Sequence, residues 1–85
     1  MATYEENWDK LPDQVKDLER ARQSFVEEFE AINWYNQRIE ATKDGELRKI
    51  LVHNRDEEKE HAALLFEYIK KRDPEQANAL KKSDL

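Results

Sequence analysis

The chain has 85 residues and a formal net charge of -5; 41% of its residues are charged, 38% are hydrophobic, and it holds one Gly, two Pro and no Cys. That length supports one domain, the missing Cys excludes disulfides and thiolate metal sites, and the acidic balance argues against nucleic acid as a main partner. No apolar run resembles a signal peptide or is long enough to cross a membrane, so a soluble, cytoplasmic protein is expected.

Abundant Glu, Lys, Arg, Ala and Leu with little Gly or Pro is the composition of long helices. Residues 1–12 read as an N-terminal arm whose Tyr4, Trp8 and Leu11 pack on another element or a neighbouring subunit. Pro12-Asp13 starts a first helix expected over residues 13–43. Its apolar positions Val15, Leu18, Phe25, Phe29, Ile32 and Ile39 recur in steps of three and four or their sums.

Thr42-Lys43-Asp44-Gly45 breaks this helix, and Asp44 is the expected N-cap of a second, over residues 45–72, with Glu46 favourable in its first turn. So short a connection makes the two helices antiparallel. Asp73-Pro74 ends the second helix and starts a short third over residues 74–82, with Asp73 as N-cap, Pro74 at N1 and Gln76 at N3. A lone hairpin of this size buries one face of each helix, so a metal or a partner subunit is expected to complete its core.

Two polar interruptions carry the chemistry. On helix 1, Ala21, Phe25, Glu28, Ile32, Tyr35 and Ile39 follow one stripe, with Glu28 in the middle of an otherwise apolar face. On helix 2, Leu47, Leu51, Asn54, Glu58, His61, Leu65 and Tyr68 do the same, and Glu58-x-x-His61 interrupts the face. Residues three apart project from one side of a helix, so this pair can offer an oxygen and a nitrogen to one ion. Di-iron four-helix bundles use a Glu from two helices and a Glu-x-x-His from the other two. This chain carries half of that set, and two copies would complete it. Buried carboxylates are neutralised, paired or metal-bound.

Alternatives stay open on the residues alone. With thirteen Glu in the chain, a Glu three before a His arises readily by chance, and Glu58–His61 can be a plain surface pair. His53 reads as a polar interface residue. Glu27 and Glu30, beside Glu28, read as solvated residues or as a cation entry path. Trp34 reads as packing, whereas Tyr35, on the Glu28 stripe, can orient a ligand through its hydroxyl.

The strings Glu-Glu-Phe-Glu-Ala-Ile-Asn-Trp-Tyr-Asn-Gln-Arg (27–38) and His-Asn-Arg-Asp-Glu-Glu-Lys-Glu-His-Ala-Ala (53–63) resemble the encapsulated ferritin family, and the match covers about residues 15–72. The resemblance implies an all-α fold: an antiparallel hairpin with a short C-terminal helix, pairing into a ferritin-like four-helix bundle, with five dimers in a decameric ring. It implies a ferroxidase that oxidises Fe(II) with oxygen at a di-iron centre between two subunits, inside an encapsulin nanocompartment that stores the iron.

By motif, Glu28, Glu58 and His61 of each subunit are the ligands of two irons per pair. The Glu58 pair would bridge, with Glu28 and His61 terminal. Tyr35 and Trp34 match an aromatic pair near the centre, His53 a nearby histidine, and Glu27 and Glu30 a secondary metal site on the iron entry route. Family members usually continue into a peptide that docks them inside the shell, whereas this sequence ends at Lys81-Lys82-Ser83-Asp84-Leu85 without an apolar-Gly-Ser-Leu-type tail. Rival readings are peroxide reduction of the rubrerythrin type, which usually draws on a further electron-transfer site, a helical scaffold or adaptor, and a structural zinc site without turnover.

Overall fold

A computed structural model describes residues 5–83. One turn of 3-10 helix, Trp8–Lys10, leads into α1 (Asp13–Ala41), α2 (Gly45–Arg72) and α3 (Pro74–Lys82). Among the described residues there is no strand. The arm folds back on its own helix: Trp8 lies under the Lys16 ammonium at 5.7 Å and the Arg20 guanidinium at 5.3 Å from the ring centroid. Tyr4 and the chain end at Asp84-Leu85 lie outside the described residues.

Each junction is held by a side chain. Helix 1 was expected to reach residue 43, but α1 stops at Ala41 because its end is capped from two directions. Thr42 Oγ1 accepts the Asp44 amide at 3.2 Å. Arg48 donates its Nε to the Ile39 carbonyl at 3.2 Å and its guanidinium to the Thr42 carbonyl. Asp44 Oδ1 then accepts from the amides of Glu46 and Leu47, at 2.9 and 3.3 Å, and starts α2. Gly45 keeps a negative φ, and a Cβ there would meet nothing within 4 Å. The turn therefore needs the Asp44 cap and not a glycine's conformational freedom. At the far end, Asp73 caps α3 through Gln76 N at 3.1 Å and accepts Arg22 of α1 at 2.8 Å, which ties α3 to the hairpin.

The hairpin is a single layer, measuring 50 × 34 × 17 Å. Among the described residues the buried core is small: Ala21, Ile39, Ala62 and Ile69. Phe25 and Phe66 stack across the two helices with ring centroids 5.4 Å apart. Large apolar side chains stay in solvent, with Phe29 52%, Ile50 52% and Leu64 71% exposed. The accessible surface is 7086 Å², whereas a compact chain of this mass shows about 5,300 Å². The surplus of about 1,800 Å² is surface that a two-layer fold of the same mass would bury.

The small buried core predicts a steep local cost. Replacing Ile69, 4% exposed, by Ala is expected to lower stability by about 2–5 kcal/mol, read by urea denaturation at fixed protein concentration.

Candidate metal centre

Glu28 sits midway along α1 and faces α2, in register with the buried Ala21 and Ile39, which lie seven before and eleven after it. Glu58 sits midway along α2, four before the buried Ala62 and eleven before the buried Ile69. The antiparallel hairpin brings these midpoints together, and His61 joins them one turn on. One ligand atom from each of Glu28, Glu58 and His61 lies within 4.8 Å of the others. His61 Nδ1 is 3.6 Å from Glu28 Oε2 and 3.7 Å from Glu58 Oε2, too long for hydrogen bonds.

The setting of the three side chains differs. Those of Glu28 and Glu58 are 24% and 22% exposed, whereas that of His61 is 50% exposed. Residue 62 lies about 40° around the helix from Glu58 and residue 61 about 60° the other way, so the seam takes Ala62 and leaves His61 at its edge. Glu28 Oε2 is a buried oxygen with no hydrogen-bond partner. Two carboxylates and an imidazole around such an oxygen form an oxygen-and-nitrogen donor set that suits iron, manganese or zinc.

The other residues singled out in the sequence do not join the trio within one chain. His53 pairs with Glu57 at 2.7 Å with its side chain 70% exposed. Glu27 is exposed and accepts from Gln23 at 3.3 Å, and Glu30 is exposed. Trp34 is 53% exposed, and half-buried Tyr35 lies under the Arg38 guanidinium at 5.7 Å. A residue absent from the sequence reading stands beside the site. Arg55, three before Glu58, donates to Asn36 of α1 at 3.1 Å and to Asp56, tying the helices together one turn from the carboxylates. Its signal was a basic residue at seam spacing from Glu58 and Ala62.

His61 also belongs to a second pattern. Leu47, Ile50, Asn54, Glu57, His61 and Leu64 follow one stripe of α2 in steps of three and four, and Leu47, Ile50 and Leu64 are large apolar residues left exposed on it. The open side of the metal trio is thus flanked by uncovered apolar surface.

Residues 3–83 match the family model described as EncFtn-like. The chain belongs to this family. It is 47% identical over 78 residues to a ferritin-like protein of Thermotoga maritima, covering 92% of this chain and 68% of that protein. It is 46% identical over 71 residues to an encapsulated ferritin-like protein of Rhodospirillum rubrum, covering 84% of this chain and 51% of that one. With an encapsulin nanocompartment cargo protein of Myxococcus xanthus the identity is 44%, over 79% of this chain and 54% of that one. The chain thus spans about half the length of the last two. A crystal structure of a Nitrosomonas europaea protein superposes with a TM-score of 0.90 at 49% identity, covering 99% of this chain and 92% of that one. An encapsulated ferritin domain from Pyrococcus furiosus gives 0.81 at 32% identity, covering 95% and 83%. The EncFtn-like fold of this chain is all-α and ferritin-like.

The site is electrostatically loaded. The neighbouring Glu58 carboxyl, through hydrogen bonding, holds the Glu28 carboxyl above its ordinary range; partial burial and the Glu58 charge add to this, and His61 opposes it. A carboxyl whose folded value is raised binds more protons folded than unfolded. Its stabilisation is therefore complete below the ordinary glutamate value, about 4.3, and is lost as pH rises through the folded value. In metal-free protein, thermal midpoints are expected to fall more, or rise less, with pH above that value than in Glu28→Gln. Parallel midpoint-against-pH curves for the two proteins would contradict the raised Glu28 carboxyl.

Proposed function

We propose that this chain is a ferroxidase, oxidising Fe(II) to Fe(III) with oxygen at a di-iron centre that two subunits complete. One observation carries the reading: the buried, unpaired Glu28 Oε2 faces Glu58 and His61 at an edge open to solvent. One chain supplies two carboxylates and one imidazole. A second copy docked on the exposed Leu47–Ile50–Leu64 stripe would supply the same set again. Four carboxylates and two imidazoles match the donor set of di-iron bundles.

Fe(II) is the substrate, each ion gives up one electron, and oxygen accepts them. Glu28 and Glu58 hold negative charge where the metal charge rises, which favours the oxidised ion. His61 supplies the neutral nitrogen donor of each half. The half-exposed His61 and exposed Glu27 and Glu30 offer iron a route from solvent, with Glu27 and Glu30 as a secondary site. Tyr35, Trp34 and His53 take their places around the centre when the second subunit arrives.

Family membership supports an iron-storage role, and the names of the R. rubrum and M. xanthus relatives support residence inside an encapsulin compartment. The proposed assembly is a ring of five dimers. No helix among the described residues is long and apolar enough to cross a membrane, in keeping with cargo held in the cytoplasm.

Anaerobic Fe(II) titration followed by air, read by near-ultraviolet absorbance, tests the proposal. The expected result is about one iron per chain, oxidised quickly. In Glu58→Ala the rate should drop by more than the 10- to 100-fold, roughly, that loss of an outer partner costs. Tight metal without oxygen-dependent oxidation would make the site structural, and no tight iron would leave a helical scaffold.

A further inference from the structure

Glu58 has four neighbours on its own helix face: Asn54 and Arg55 one turn before it, His61 and Ala62 one turn after. Of these four, Arg55 carries the permanent charge. Viewed down α2, Arg55 lies about 60° to one side of Glu58 and His61 about 60° to the other. The Arg55 flank runs on to Phe66, where Phe25, Phe29 and Phe66 wall an apolar groove on the side of the hairpin away from His61.

A guanidinium so placed is a ready partner for Glu58. Side chains three apart on a helix have Cβ atoms about 5–6 Å from one another, within an arginine's reach. The seam adds to the attraction, because the Glu28 and Glu58 side chains are only 24% and 22% exposed and water screens them weakly. Yet the guanidinium is turned elsewhere. Arg55 Nη1 donates to Asn36 Oδ1 of α1 at 3.1 Å, and Nε and Nη2 donate to Asp56 Oδ1 at 3.3 and 3.2 Å. Its ion pair is with Asp56 and not with Glu58.

The two acceptors hold it unequally. The Asp56 side chain is 59% exposed, so water weakens its pull. Asn36 reaches across from the other helix. It lies eleven residues after Phe25, and Arg55 lies eleven before Phe66, so this hydrogen bond stands in the same register of the antiparallel pair as the Phe25–Phe66 stack. The packing of the hairpin thus presents the Asn36 amide to Arg55. That amide accepts a hydrogen bond without adding charge.

The consequence is for metal. A carboxylate tied to a guanidinium must be released before it can ligate a cation, so apparent affinity falls with the fraction of time it is free. Held nine-tenths of the time, it would bind about tenfold more weakly. We propose that Asn36 is a positioning residue for the metal centre: it holds the Arg55 guanidinium off Glu58 and so keeps that carboxylate open to a cation. The proposal rests on the metal-site reading given above and deepens it.

Anaerobic Co(II) titration at one protein concentration, read by visible absorbance, tests this on wild type, Asn36→Ala, Asn36→Asp, Arg55→Gln and the double variant Asn36→Ala/Arg55→Gln, with circular dichroism as the control for folding. Asn36→Ala is expected to weaken Co(II) binding by about 10-fold or more, the size of a lost outer partner. Asn36→Asp keeps an acceptor for the guanidinium and should bind at least as tightly as wild type. Arg55→Gln removes the competing charge and should do the same. The double variant should recover wild-type affinity, because without Arg55 there is nothing for Asn36 to restrain. Should Asn36→Ala lose helicity, Asn36→Leu decides by the same criteria. A folded Asn36→Ala that binds Co(II) like wild type overturns the proposal. So does a double variant as weak as Asn36→Ala, which would make the Asn36–Arg55 bond a tie between helices and nothing more; the metal-site reading survives both results. A wild type that binds no Co(II) sinks that reading and this proposal with it.

Discussion

Two carboxylates held close together in the seam of a helical hairpin are the constraint on which this molecule turns. Glu28 and Glu58 occupy positions where the same stripes elsewhere hold Ala21, Ile39, Ala62 and Ile69. Burial and mutual repulsion both disfavour two negative charges there. Neither the His61 imidazole nor partial exposure gives Glu28 Oε2 a hydrogen bond, and its carboxyl is held above the ordinary range. A cation bound there, as proposed, would meet both carboxylates at once and couple metal affinity to the stability of the fold.

The rest of the fold keeps those midpoints opposite each other. The Asp44 cap and the Arg48 contacts to the Ile39 and Thr42 carbonyls set the hairpin at one end. At the other, Asp73 joins the α3 cap to Arg22 of α1. Arg55 bridges to Asn36 close to the site itself. These polar ties add to a core that holds four buried side chains among the described residues.

A layer only 17 Å thick has two faces and no interior beyond its seam. One face carries the open Glu28–Glu58–His61 trio among exposed leucine and isoleucine side chains. The other carries a phenylalanine groove. In the proposed dimer, a half-site would gain from a partner what a complete four-helix protein builds within one chain, linking chemistry and assembly through the same surface.

Much of this was legible in the sequence, because it depends on local rules. Asp44 and Asp73 read as N-caps since a short acceptor side chain satisfies the first free amides of a helix, whatever surrounds it. The spacing of Glu28 within its stripe and of Glu58-x-x-His61 placed three candidate ligands on facing sides, and the two motif strings pointed to the family. Other features waited on the packing. Periodicity put His61 on the inward stripe, but steps of three and four span about 100°, enough to admit Ala62 in its place. The rotation of α2 against α1 decides that, and it puts Ala62 inside and His61 at the rim. The same rotation separates the Leu47–Ile50–Leu64 face from the Phe25–Phe29–Phe66 groove, which the sequence merges into one list of apolar positions. The sequence by itself determined the helices, their caps and the identity of the candidate ligands; the tertiary structure decided which side of the hairpin each one faces, because that depends on how two helices turn toward one another and not on the order of residues along either.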